Sequence, residues 1–218
     1  MPTTAQPPRH EEPPPYGATD TYHHGNLRAA CVEAGVRLVE EEGPDAVTIR
    51  GVARMAGVSH TAPLHHFRDR GELLDAVADR GFDLLLERLD ASLAPAAGAT
   101  QALHAYGMAY VDHAVDHPGL FALMFRPDAH LQGEAAYRRL IDLTAAAQAA
   151  GEMPGDDPDT LCLLLWATVH GLAGLHGFGH LTNGPVTDQP ADHRPATRVV
   201  LDQLIGALAA AAPKETSR

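Results

Sequence analysis

The chain has 218 residues, 45% of them apolar, enough for an ample core in one larger domain or two small ones. Its 16 basic and 28 acidic residues leave a net charge of −12, which argues against nucleic acid as a partner until the charge is divided along the chain. The two cysteines, Cys31 and Cys162, are too far apart in sequence to look like metal ligands or a disulfide framework, and read as reduced packing residues of a cytoplasmic protein. No signal-peptide pattern opens the chain. The longest apolar run, 161–175, is interrupted by His170 and falls short of the roughly 20 residues a membrane span needs.

Residues 1–21 are proline-rich without apolar periodicity, the composition of a disordered tail. From residue 22, Leu27, Cys31, Ala34 and Leu38 form one stripe of an amphipathic helix of about four turns, stopped by Gly43 and Pro44. Thr48 then stands where an N-cap is wanted, and Ile49, Val52, Ala53 and Ala56 give the next helix its apolar face. Gly57 can close that helix in the left-handed conformation, and Ser59 can cap another. Helix, glycine turn, helix is the helix-turn-helix pattern, whose second member enters the DNA major groove. Three helices over 22–68 thus make a first domain.

Asp69 and Glu72 have capping-box spacing and open a long helix with Leu73, Leu74, Val77, Phe82, Leu85 and Leu89 down one side. It leaves the first domain without a flexible linker, so it is the element that can transmit movement. Proline and glycine clusters then punctuate further helices over 101–117, 120–125, 134–150, 158–180 and 195–211. No strand-type alternation occurs. The expected fold is all-α with about nine helices, the second domain running over 69–212 and a tail over 213–218.

Residues 22–70 carry six arginines against six acids, so the excess acid lies elsewhere. In a helix-turn-helix the early residues of the second helix meet base edges, which makes His60, Thr61 and Ala62, and a turn later His65, the candidates for sequence readout. Thr48, Arg50, Ser59, His66 and Arg70 suit phosphates, since capping hydroxyls, helix N-termini and cations favour an anion. One such helix reads only a few base pairs, which calls for a two-fold dimer. The apolar helices around 161–175 and 199–208 would supply it, through Gly171, Gly174 and Leu175 on one and Leu201, Leu204 and Leu208 on the other.

Phe82, Tyr106, Tyr110, Phe121, Met124, Phe125, Trp166 and His170 come from several helices and are compatible with ordinary core or with the lining of one cavity. His113 with His117, and His176 with His180, have the spacing that places two imidazoles on one helix face, but nothing completes a metal site and none is assigned. No cofactor-binding or catalytic motif is present, so an enzyme is not expected.

With these elements placed, the chain resembles the TetR-type repressor family. The resemblance is carried by Tyr22-His23-His24-Gly25-Asn26-Leu27-Arg28, Thr48-Ile49-Arg50-Gly51-Val52-Ala53, Ala56-Gly57-Val58-Ser59 and His66-Phe67 in order. It implies an N-terminal three-helix DNA-binding domain joined by a helix to a helical effector-binding and dimerisation domain, and it favours the cavity over ordinary core for the aromatic set. Trp166-Ala167-Thr168-Val169-His170-Gly171-Leu172 resembles the Trp-His-Gly signature of one of the family's C-terminal subgroups. Two positions depart from the pattern. Leu64 stands where the family often has a tyrosine whose hydroxyl reaches a phosphate, and Pro63 sits inside the recognition helix, where it should remove about one backbone bond and leave the helix in place. The implied function is a homodimeric DNA-binding transcriptional regulator, a repressor released from a palindromic operator by a small-molecule effector. The alternative is a metal- or redox-responsive DNA-binding sensor.

Overall fold

The computed structural model describes residues 27–94, 96–127, 133–177 and 194–212. Among them all regular structure is helical: α1 (Leu27–Glu42), α2 (Ile49–Ala56), α3 (Arg70–Leu93), α4 (Ala99–Asp116), α5 (Pro118–Met124), α6 (Glu134–Ala149), α7 (Pro158–Gly177) and α8 (Arg194–Ala210). Short 3-10 turns occupy Pro44–Ala46 and Ala62–His65. The all-α expectation holds, with eight α-helices and a 3-10 turn where the recognition helix was expected. Residues 1–26 and 213–218, which include both tails and the opening of the family motif, lie outside the described residues, as does His180.

Local chemistry sets the helix ends. The Thr48 hydroxyl accepts a hydrogen bond from the Gly51 amide at 2.9 Å, and Gly57 closes α2 at φ 69°, ψ 29°. Asp69 caps α3 by accepting from the Glu72 amide at 2.9 Å. Glu72 in turn accepts from the Arg68 amide and guanidinium, both at 2.9 Å, one residue earlier than a capping box would place the return bond. Pro118 and Pro158 stand at the first positions of α5 and α7, where a missing N–H leaves no bond unmade.

Helix α1 packs on α2, α3 and α5, while α4 is the central helix of the body, touching α3, α5, α6, α7 and α8. One apolar core runs throughout, from Leu38, Val52 and Phe67 at the N-terminal end to Leu89, Leu103 and Leu165 at the other. The side chain of Glu152, in the loop after α6, accepts from both the amide and the hydroxyl of Thr100 at 2.7 Å, tying that loop to the first turn of α4. The apolar segment expected to be too short for a membrane forms a 20-residue helix, α7, which by length and composition alone would suffice. Its Leu161, Cys162, Leu165, Val169, Leu172 and Ala173 are buried, and the helix packs on α4 and α6.

Candidate nucleic-acid interface and internal cavity

The recognition segment is shorter and tighter than the sequence suggests. Pro63 has no amide, and its neighbours bond three residues back: Ala62 N–H to Ser59 O at 3.0 Å, Leu64 to Thr61 at 3.1 Å and His66 to Pro63 at 2.9 Å. The expectation that an α-helix would survive the loss of one bond is therefore corrected. In a segment of about two turns, a single missing amide removes a large share of the ladder. Ser59 makes no side-chain cap either. Its hydroxyl lies 3.4 Å from that of Thr61, which occupies the position before the turn.

What the turn presents is nonetheless an exposed polar surface. Ser59, His60, Thr61, His65 and His66 are exposed, Ala62 is half-buried, and Pro63 and Phe67 point into the core. Leu64 is 52% exposed, an apolar residue on the same turn as the candidate base readers. Thr48 and Arg50 are exposed at the start of α2. Arg70 has a different first task from the one assigned to it. Its guanidinium donates to the Val47 carbonyl at 2.7 Å and the Pro44 carbonyl at 2.9 Å, pinning the start of α3 to the loop before α2. Two of its donors are thereby unavailable to a phosphate. Arg28 covers the other end of this unit, its guanidinium 5.4 Å from the centre of the Phe67 ring.

At the opposite end of α3 lies a cavity of about 420 Å³. Of the eight residues proposed for it, Phe82, Tyr106, Tyr110, Phe125 and Trp166 line it. Phe121 and His170 stand behind the wall: Phe121 meets Tyr110 edge-on, and His170 packs against Phe121, Phe125 and Trp166. Met124 is fully buried at the α3–α5 contact, where its side chain would come within 2.8 Å of a Cβ on Gly81. Sequence reasoning missed Leu85, Leu89, Leu103, Tyr137, Val169 and Ile205, aliphatic in the main and with the same helical spacing as core residues.

The hydroxyls of Tyr106 and Tyr110 are already engaged. Tyr106 donates to the Ala136 carbonyl at 2.8 Å, and the Tyr110 hydroxyl lies 2.9 Å from His170 Nδ1 while accepting from the Trp166 indole at 3.4 Å. Burial pushes both phenols above their ordinary pKa and lowers that of His170, so this cluster is uncharged at neutral pH.

Comparison with known proteins matches these two parts to two family models. Residues 32–77 match "Bacterial regulatory proteins, tetR family", and residues 103–204 match "Tetracyclin repressor-like, C-terminal domain". The chain belongs to the tetR family of bacterial regulatory proteins. Among solved structures, a protein of unknown function from Rhodococcus sp. RHA1 is 34% identical, with a TM-score of 0.74 over 87% of this chain and 99% of that one. The fold is shared with the ketosteroid transcriptional regulator KstR2 of Mycobacterium tuberculosis, at 17% identity and a TM-score of 0.55 over 85% and 96% of the two chains. It is shared also with the fatty acid degradation regulator FadR of Bacillus halodurans, at 12% identity and a TM-score of 0.65 over 84% and 97%. No curated protein matches the chain.

In this tetR-family chain α7 and α8 carry exposed apolar residues, on α8 beside exposed Arg198, Asp202 and Gln203. Leu163, Leu164, Leu175, Val199 and Val200 are exposed, and a Cβ at Gly171 or Gly174 would meet open space. Leu204 and Leu208 are half-buried beside them. Leu201 is not part of this face. It is 1% exposed, lines the cavity and packs on Gly107, so its side chain is consumed by the protomer's own core. Of the histidine pairs, the rings of His113 and His117 lie 5.0 Å apart, but among the described residues no three His, Cys, Asp or Glu groups converge as metal ligands. Burial pushes the Cys162 thiol up to about 11 and raises that of Cys31, which keeps both as unreactive thiols.

Proposed function

We propose that this tetR-family regulator is a cytoplasmic, homodimeric repressor that occupies a palindromic operator and is released when a small molecule fills the cavity. The observation that carries the reading is the span of α3. Its first turn is fastened to the DNA-reading unit by Arg70, and Phe82, Leu85 and Leu89, further along the same helix, line the cavity. A ligand that fits better when α3 is displaced would shift both recognition turns of a dimer, and DNA and ligand would weaken each other reciprocally. The exposed apolar residues of α7 and α8 support pairing with a second copy, which would set two recognition turns about one DNA turn apart, roughly 34 Å. In this reading His60, Thr61, Ala62 and His65 face bases, and Thr48, Arg50, Ser59 and His66 face phosphates, with Arg70 holding the unit in register.

The test begins with an operator selected from a random DNA pool. His60→Ala should lose about 1 to 3 kcal/mol on the selected sequence and much less on variants changed at the base pair it reads. Uniform loss across all variants would show that His60 orients the protein and does not read sequence. Among the described residues no three metal-ligating groups converge and burial raises the pKa of both thiols, so nothing there favours the metal- or redox-responsive alternative.

A further inference from the structure

Among the described residues that line the cavity, Glu134 is the only charged one and also the only exposed one. The exposed part of the described lining thus lies at the N-terminal end of α6, beside Gly133 and Tyr137, and the rest of it is mainly hydrocarbon and aromatic ring. The nearby cations are matched with acids: Arg138 pairs with Glu134, Arg139 with Asp90 at 3.1 Å and Arg126 with Asp75. The Tyr106 and Tyr110 hydroxyls are held by Ala136, His170 and Trp166, and that of Tyr137 is bonded to Cys162. A helix N-terminus ordinarily attracts anions, but here the first residue of α6 brings its own carboxylate to the mouth.

From these surroundings, and resting on the reading of the cavity as the effector site, we infer that the effector is an uncharged, hydrocarbon-rich molecule and that anionic amphiphiles are rejected. An ionised carboxylate, sulfonate or phosphate inside would lose its water with no cation among the described lining residues to replace it. At the mouth the same group would meet the Glu134–Arg138 pair, which offers it no net positive charge. A neutral molecule meets neither cost, and the ring edges and faces of Phe82, Tyr106, Phe125 and Trp166 give it close contact on several sides.

Two fluorescent probes with the same arylamine skeleton separate these cases in the full-length protein. N-phenyl-1-naphthylamine is neutral, and 8-anilinonaphthalene-1-sulfonate carries a sulfonate. The neutral probe should bind saturably and at least about a hundredfold more tightly than the sulfonate. Leu103→Trp, which fills the cavity from α4, should abolish that binding in a protein whose helical circular dichroism is unchanged. Glu134→Lys, at the mouth, should bring the affinity of the sulfonate towards that of the neutral probe. A sulfonate that binds the unaltered protein as tightly as the neutral probe, and is lost with it in Leu103→Trp, would overturn the inferred ligand class while leaving the cavity as the effector site. Saturable binding indifferent to Leu103→Trp, or no saturable binding of either probe, would overturn both.

Discussion

The two ends of α3 are built on opposite principles. At its N-terminal end the chain holds polar, exposed side chains in place with backbone hydrogen bonds: the Thr48 and Asp69 caps, the Arg70 clamp and the three-residue bonds of the recognition turn. Further along, the same helix presents Phe82, Leu85 and Leu89 to a cavity whose polar groups are already paired with one another. The first arrangement leaves side-chain donors facing solvent for a partner to use, and the second leaves volume. Apart from the caps and the clamp, substitutions should accordingly alter affinity for DNA with little loss of stability at one end, and stability and small-molecule binding at the other.

The largest departure from neutrality should come from the cavity end. Phe82 is buried, packs edge-on to Phe125 with ring centres 5.3 Å apart and fills the approach to Gly133, where a Cβ would stand 2.8 Å from its ring. Phe82→Ala should cost about 3 kcal/mol in urea unfolding, at the low end for a buried phenylalanine because it enlarges a space that already exists. A loss under about 1 kcal/mol would mean that the two ends are not distinguished by packing.

The next effect tests the seam between them, where His117 Nδ1 lies 3.4 Å from Glu40 of α1 and His113 is buried beside it. Desolvation, helped by His117 and Arg88, lowers the pKa of His113 from 6.5 to about 4. The unfolded chain takes up this proton near 6.5 and the folded one near 4, so the stabilisation is present above 6.5 and lost as pH falls through that window. Between pH 7 and pH 5 the loss from this group should be about 2 kcal/mol by urea unfolding, and His113→Leu should remove that part of the pH dependence. An unchanged pH slope in the variant would assign the acid sensitivity to other groups.

At the DNA end, Thr48→Ala should cost about 1 kcal/mol of stability through the lost cap. The smallest effect belongs to Leu64, which is half exposed on the recognition turn. Leu64→Tyr should leave unfolding unchanged and raise affinity for every operator variant alike, by about 1 kcal/mol or less, if its hydroxyl reaches a phosphate. A gain confined to particular sequences would place that side chain at a base edge.

Legibility followed the range of the interactions. Thr48, Gly57 and Asp69 act within three or four residues, and their roles can be read from spacing; the boundaries of α4 to α6 and α8 fall within two residues of where proline and glycine suggest. Pro63 was visible too, but its effect depended on how little helix surrounded it. The cavity was legible only through its aromatic residues, because Leu85, Leu103, Val169 and Ile205 repeat with the spacing of any core side chain. Helix α8 carries apolar residues on two faces, and periodicity cannot choose which of them turns inward. The packing of Leu201 against Gly107 makes that choice.

The Arg70 clamp also sets a mechanical ratio. Because Nε and Nη2 hold the carbonyls of Val47 and Pro44, the junction before α3 is tied at two points, and a movement of the helix would be passed to the unit before it. Twelve residues separate Arg70 from Phe82, a lever arm of about 18 Å at the rise of an α-helix, so a tilt of about 10° pivoting at Phe82 carries the recognition turn about 3 Å. A displacement of that size is comparable to the length of a hydrogen bond.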